Sequence, residues 1–91
     1  MNSLKIALEK LSLNCEAEKE FTVYFEGEIV GKFRVDLVVE NNVIVEIKSI
    51  EGAIPKIFEA QVISYLKASR LKVGLLINFG NESCHVRRLI V

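Results

Sequence analysis

Residues 34–48 read RVDLVVENNVIVEIK, and this stretch decides the fold. Two runs flank a polar turn at Glu40, Asn41 and Asn42. Val35, Leu37 and Val39 alternate with polar positions before the turn, and Val43, Val45 and Ile47 follow it. A period of two marks strands buried on one face, so the two apolar sets should share a face. A two-residue turn at Asn41 and Asn42 would pair Val39 with Ile44 and separate the sets. A three-residue turn pairs Val39 with Val43 and unites them, with an asparagine in the left-handed conformation. In that register Asp36 faces Glu46 and Arg34 faces Lys48. Like charges directly opposite each other destabilise a ladder. Two carboxylates pressed together beside a lysine therefore suit a divalent cation. The competing reading is a solvated hairpin face on which Arg34, Asp36, Glu46 and Lys48 form a charge network.

The remaining pattern supplies the frame around the hairpin. Residues 3–11 carry Leu4, Ala7, Leu8 and Leu11 as a helical stripe. Residues 20–26 alternate as a strand, and Glu26-Gly27-Glu28 turns the chain into a second strand over 29–39. A third strand covers 43–50. After the loop at 51–55, Pro55 suits the first position of a helix. That helix spans 56–70, with a wide apolar stripe of Ile57, Phe58, Ala60, Val62, Ile63, Tyr65 and Leu66, as a helix covering a sheet requires. VGLLINF at 73–79 reads as a central strand buried on both faces. Residues 84–90 form a last strand. The order αβββαββ predicts an α+β (mixed α/β) core with helices packed on a central mixed sheet.

The chain has 91 residues, half of them apolar, a quarter charged, and only one proline. This length and composition fit one globular domain over 1–91. Such a chain buries about 60–65% of its unfolded surface, so a homodimer with a two-fold axis is expected to supplement its core. No apolar run spans a membrane, and MNSLKIALEKL lacks the core and cleavage site of a signal peptide. A cytoplasmic location follows, with Cys15 and Cys84 as reduced thiols. The net charge is zero, yet residues 1–46 hold nine acids and five bases, and residues 47–91 three acids and seven bases. The basic half offers Lys67, Arg70, Lys72, Arg87 and Arg88 to a nucleic-acid backbone; an ordinary solvated surface is the alternative.

Asp36, nine residues, then Glu46-Ile47-Lys48 gives the pattern D-x9-E-x-K. Carboxylates converging at a hairpin end can hold Mg²⁺, and the Ile47 carbonyl is a candidate third oxygen. The ion would lower the pKa of a bound water and polarise a phosphodiester. Lys48 points to the same face as Glu46 and can orient that water or neutralise developing charge. Gln61 and Tyr65 lie one turn apart on the helix that follows. They can hold the water or the phosphate; their plainer role is a surface amide and a half-buried aromatic. Other chemistries fare worse. His85 is the only histidine, which argues against zinc-hydrolase sites, and the five glycines form no phosphate-cradling loop.

The segments KEFTVYFEGEIVGKFRVDLVVENNVIVEIKSI, FEAQVISYLKASRLKVGLLINFG and VRRLIV resemble the GxxExxY group of the PD-(D/E)XK nuclease superfamily. The resemblance implies a restriction-endonuclease-like core and Mg²⁺- or Mn²⁺-dependent hydrolysis of nucleic acid, with DNA the expected substrate. It assigns Asp36, Glu46 and Lys48 to the motif, and Gln61 and Tyr65 to a Q-x3-Y element. The nucleic-acid contacts expected alongside are Arg34, Lys67, Arg70 and Lys72. Phe58 stands where such sequences often carry histidine. The G-x-x-E-x-x-Y segment of the first helix should have ended about where Met1 begins, and Glu9 does not match its acid. A shortened nuclease of low activity is therefore expected, or a non-catalytic nucleic-acid-binding or protein-interaction module of the same fold.

Overall fold

The computed structural model describes residues 2–91, with side chains from Leu4 onward. The elements are α1 (Asn2–Lys10), β1 (Cys15–Phe25), β2 (Glu28–Val39), β3 (Val43–Lys48), α2 (Lys56–Ser69), β4 (Val73–Asn78) and β5 (His85–Ile90). This is the expected αβββαββ order, a mixed α+β fold of restriction-endonuclease-like type. The strands form one five-stranded sheet in sequence order. β3 and β4 are parallel, with α2 between them in the chain, and the other pairs are antiparallel. A parallel pair requires such a crossover, because a tight turn cannot return the chain to the same end. β1 begins five residues earlier than the alternation at 20–26 indicated. It is an edge strand, and its polar start CEAEK hid it from an apolar pattern. Pro55 precedes α2 as its N-cap, one position before the expected one.

The hairpin has the three-residue turn, with Val39 opposite Val43 and Leu37 opposite Val45. Asn41 is left-handed (φ 56°), and so is Glu40 (φ 53°). Glu40 is held there by Asn14. Its N–H donates to the Asn14 carbonyl at 2.7 Å, and its carboxylate accepts the Asn14 N–H at 2.9 Å.

The sheet separates two apolar layers. Under α2 lie Val35, Val38, Ile44, Ile54, Val62, Leu66 and Leu76, with Phe21, Phe33, Phe58, Tyr65 and Leu89 against them. Under α1 lie Cys15, Leu37 and Val45, with Leu4, Leu8, Val39, Val43, Ile47, Leu75 and Ile77. Five of the six apolar hairpin residues therefore face α1 together. Val35 does not; it belongs to the α2 layer. The cause is a phase change at Glu18 and Asp36, which lie across from each other between the pairs Ala17–Leu37 and Lys19–Val35. Glu18 is left-handed (φ 52°), a twist no period-two reading anticipates. Beyond it β1 and β2 continue as a two-stranded arm, whose odd residues Phe21 and Phe33 turn toward α2.

β4 is fully buried at Gly74, Leu76 and Asn78 beneath α2, and only half-buried at Val73, Leu75 and Ile77 beneath α1. A Cβ on Gly74 would lie 2.6 Å from Val62, so glycine is what lets α2 pack this closely. Cys15 is buried and Cys84 exposed, both as free thiols. Among the described residues no helix is long and apolar enough to cross a membrane.

Candidate metal centre

β2 and β3 part company at the carboxylates. The backbone ladder reaches Leu37–Val45 and goes no further. Where Asp36 and Glu46 would pair next, their side chains replace the backbone. The Ile47 N–H donates to Asp36 Oδ2 at 2.7 Å, and the Asp36 N–H donates to Glu46 Oε1 at 3.3 Å. Each carboxylate is thus fixed by a main-chain donor of the facing strand. Among the described residues Asp36 Oδ1 and Glu46 Oε2 receive no backbone donor.

Glu46 is 5% exposed, one of two buried polar side chains among the described residues. Burial comes first in pushing its carboxyl up to about 7, followed by the charge of Asp36 and a proton-sharing contact with it. The bond from the Asp36 N–H and the charge of Lys48 pull the other way without offsetting this. Lys48, two residues on and on the same face, holds its ammonium 4.5 Å from the centre of the Phe58 ring. Phe58 therefore has a part at the position where histidine was the alternative: it seats the lysine.

Tyr65 stacks on Phe33 at 4.5 Å, and Phe33 on Phe21 at 5.2 Å, which ties α2 to the base of the arm. Burial, then the charges of Glu46 and Asp36, raise the Tyr65 hydroxyl's pKa. Tyr65 thus belongs to the electrostatic neighbourhood of the pair. Gln61 is exposed, and its side chain forms no hydrogen bond among the described residues. Arg34 does not oppose Lys48. The ladder between their strands has already ended, and the arm's twist turns Arg34 to Glu20 of β1, at 3.9 Å. Lys67, Arg70 and Lys72 are exposed at the far end of α2. Phe58 and Lys67 are about 14 Å apart along the helix axis. Arg70 is the left-handed C-cap of α2 (φ 65°).

One determinant escaped the sequence reading. Asn78 is wholly buried at the end of β4. Its side chain accepts the Ile50 and Gly80 N–H groups at 2.8 and 3.0 Å and donates to the Ile50 carbonyl at 2.8 Å. Asn81 grips Gly52 in the same two-way manner, at 2.9 and 3.0 Å. Together they fix the loop that carries the chain from Lys48 into α2. The only signal was an asparagine closing the apolar run VGLLIN.

Two carboxylates with free oxygens form a hard donor set of the kind Mg²⁺ prefers, and a buried carboxyl raised by its neighbour's charge is relieved by a cation. Among the described residues no group of three or more His, Cys, Asp or Glu side chains converges. Burial, then the charge of Glu9 on α1, raises the pKa of Cys15, which lies in the layer under α1. A cation here would rest on Asp36, Glu46 and the Ile47 carbonyl, with water completing its shell.

A family model described as the PD-(D/E)XK nuclease superfamily matches residues 1–89. A solved structure described as the crystal structure of SSO0001 superposes with a TM-score of 0.73 at 20% sequence identity. That alignment covers 97% of this chain and 46% of the other, so the chain spans about half the length of the structure it resembles. No curated protein sequence matches.

Proposed function

The chain belongs to the PD-(D/E)XK nuclease superfamily, and from that premise we propose that it is a metal-dependent nuclease domain hydrolysing phosphodiester bonds of nucleic acid, with DNA as the substrate. Asp36, Glu46 and the Ile47 carbonyl hold Mg²⁺ or Mn²⁺. When bound, the ion supplies positive charge at the phosphate and acidifies a water. The chain's own residues do the rest. Asp36 and Glu46 keep their free oxygens converged because opposing backbone donors fix the other two. Lys48, seated on Phe58, presents a cation to the charge that develops on the phosphate oxygens. Tyr65, kept protonated by its surroundings, donates a hydrogen bond to the phosphate or the attacking water. Gln61, one turn earlier and open to solvent, orients the same water or phosphate. Arg34, Lys67, Arg70 and Lys72 are more distant backbone contacts.

The observation that carries this reading is that a backbone N–H of the facing strand anchors each carboxylate, Ile47 for Asp36 and Asp36 for Glu46. A structural ion pair does not require two like charges to be fixed together beside the core. A second reading rests on the missing third acid among the described residues. Two carboxylates hold a strongly hydrated ion weakly, so a non-catalytic nucleic-acid-binding or protein-interaction module of the same fold is its competitor. On either reading, residues 1–91 alone are expected to cleave slowly at best. A two-fold homodimer belongs to the same proposal. The test is cleavage of labelled DNA with Mg²⁺ or Mn²⁺: metal-dependent cleavage lost in Glu46→Ala supports the nuclease, and its absence at high enzyme favours the module.

A further inference from the structure

The register of the sheet brings a second feature onto the face that carries the carboxylates. Glu46 of β3 is level with Leu76 of β4, and Leu76 with Arg87 of β5. Leu76 and Leu89 both belong to the layer under α2, so Arg87, paired with one and two residues from the other, points to that face. Lys48, Asn78 and His85 form the next row. Strand spacing places the Glu46 and Arg87 backbones about 10 Å apart. Arg88, the next residue, is level with Leu75 and points to the α1 face.

His85 and Arg87 line an open groove of about 600 Å³ with Gly52, Ala53, Ile54 and Asn81. Among the described residues no acid lines it. Arg87 takes no part in the ion pairs of the described residues, which join Lys19 to Glu16, and Lys32 and Arg34 to Glu20. One wall is preformed, because Asn81 holds Gly52 by two hydrogen bonds and Gly52 is left-handed (φ 87°). The groove thus joins a guanidinium with its donors free, an imidazole and a rigid backbone wall, beside the loop that leads from Lys48 to α2.

We propose that this groove is a phosphate subsite, in which Arg87 and His85 hold the backbone of the nucleic-acid strand whose scissile phosphate lies at Asp36 and Glu46. The inference rests on the nuclease reading and names the path of the substrate. The strand passes over the loop at 49–55, and Arg87 grips a phosphate on the side of that loop away from Asp36. A guanidinium suits this role because its donors match phosphate oxygens in pairs.

The experiment uses fluorescence anisotropy of short labelled oligonucleotides in EDTA, so that binding is read without cleavage. Single-stranded DNA, duplex DNA and RNA are separate probes, since all share the phosphodiester chemistry. Arg87→Ala should weaken binding several-fold and reduce the slope of log affinity against log salt by about one. Arg87→Glu should weaken it further. Arg88→Ala removes the same charge from the same strand on the opposite face, and should leave affinity and slope unchanged. The proposal is overturned if the Arg87 and Arg88 variants behave alike, if only joint alanine replacement of Lys67, Arg70 and Lys72 weakens binding, or if no probe binds. Metal-dependent cleavage with unaltered binding in Arg87→Ala rejects the groove and keeps the nuclease. Binding through Arg87 without cleavage keeps the groove and rejects the nuclease.

Discussion

Asp36 and Glu46 exchange main-chain partners: the carboxylate of Asp36 takes the N–H of Ile47, and that of Glu46 takes the N–H of Asp36. This arrangement ends the β2–β3 ladder and fixes two acids side by side. Their proximity has a cost, and the cost is measurable as a function of pH.

Glu46 has a folded-state pKa of about 7, above the ordinary 4.5 of the unfolded chain. Between those values the folded protein keeps a proton that the unfolded chain has released. The resulting stabilisation is complete below the lower value and is lost as pH rises through the upper one. In EDTA, wild-type protein should lose on the order of 2–3 kcal/mol from this group between about pH 4.5 and pH 8. Glu46→Gln should lack that loss and be the more stable form at pH 8. Thermal melts of both proteins across this range check it; parallel curves would contradict the strained pair.

Lys48 lowers the pKa of Glu46 and sits over Phe58. Replacing it with methionine should raise the Glu46 pKa still further while keeping an apolar contact with the ring. Carboxyl NMR titration reads the shift directly. The same variant should cut any metal-dependent cleavage by about a hundredfold, the usual scale for a lost charge-stabilising group. Unchanged titration and unchanged rate together would remove Lys48 from the site.

The hairpin was legible because its turn length and both apolar alternations agree on one register. Five of six apolar positions, and the meeting of Asp36 with Glu46, follow from it. Val35 was misplaced because the left-handed twist at Glu18 reverses the alternation, and glutamate carries no mark of such a conformation. The same twist sends Arg34 to Glu20. The Q-x3-Y spacing marked Tyr65, which is near the pair, and equally Gln61, which stays exposed. Asn78 was missed because its hydrogen bonds join strand end to loop, and neither residue type nor spacing reveals such partners.

Asn78 offers a structural test. Asn78→Ala would leave the Ile50 and Gly80 N–H groups and the Ile50 carbonyl without their partner in a buried corner. A loss of about 3 kcal/mol is expected, the sum of a few unmet buried groups. Denaturant unfolding measures it. A loss below about 1 kcal/mol would mean that water or a relaxed loop replaces the clamp.

The homodimer is open to light scattering. Exposed apolar residues include Leu11 at 72%, Ile57 at 72%, and Tyr24 and Phe25 at the arm's tip at 64% and 66%. A twofold mass at micromolar concentration is expected. A monomeric mass across the accessible range would show that these residues stay in water or serve another contact.

The central claim is that Asp36 and Glu46 together hold a divalent cation. Isothermal calorimetry of Mn²⁺ into metal-free protein at pH 8, where Glu46 is ionised, tests it most directly. Wild-type protein should bind one ion per chain weakly, with proton release that grows as pH falls toward 7, and Glu46→Ala and Asp36→Ala should each abolish the binding. Undetectable binding by wild type, or equal binding by both alanine variants, would contradict it.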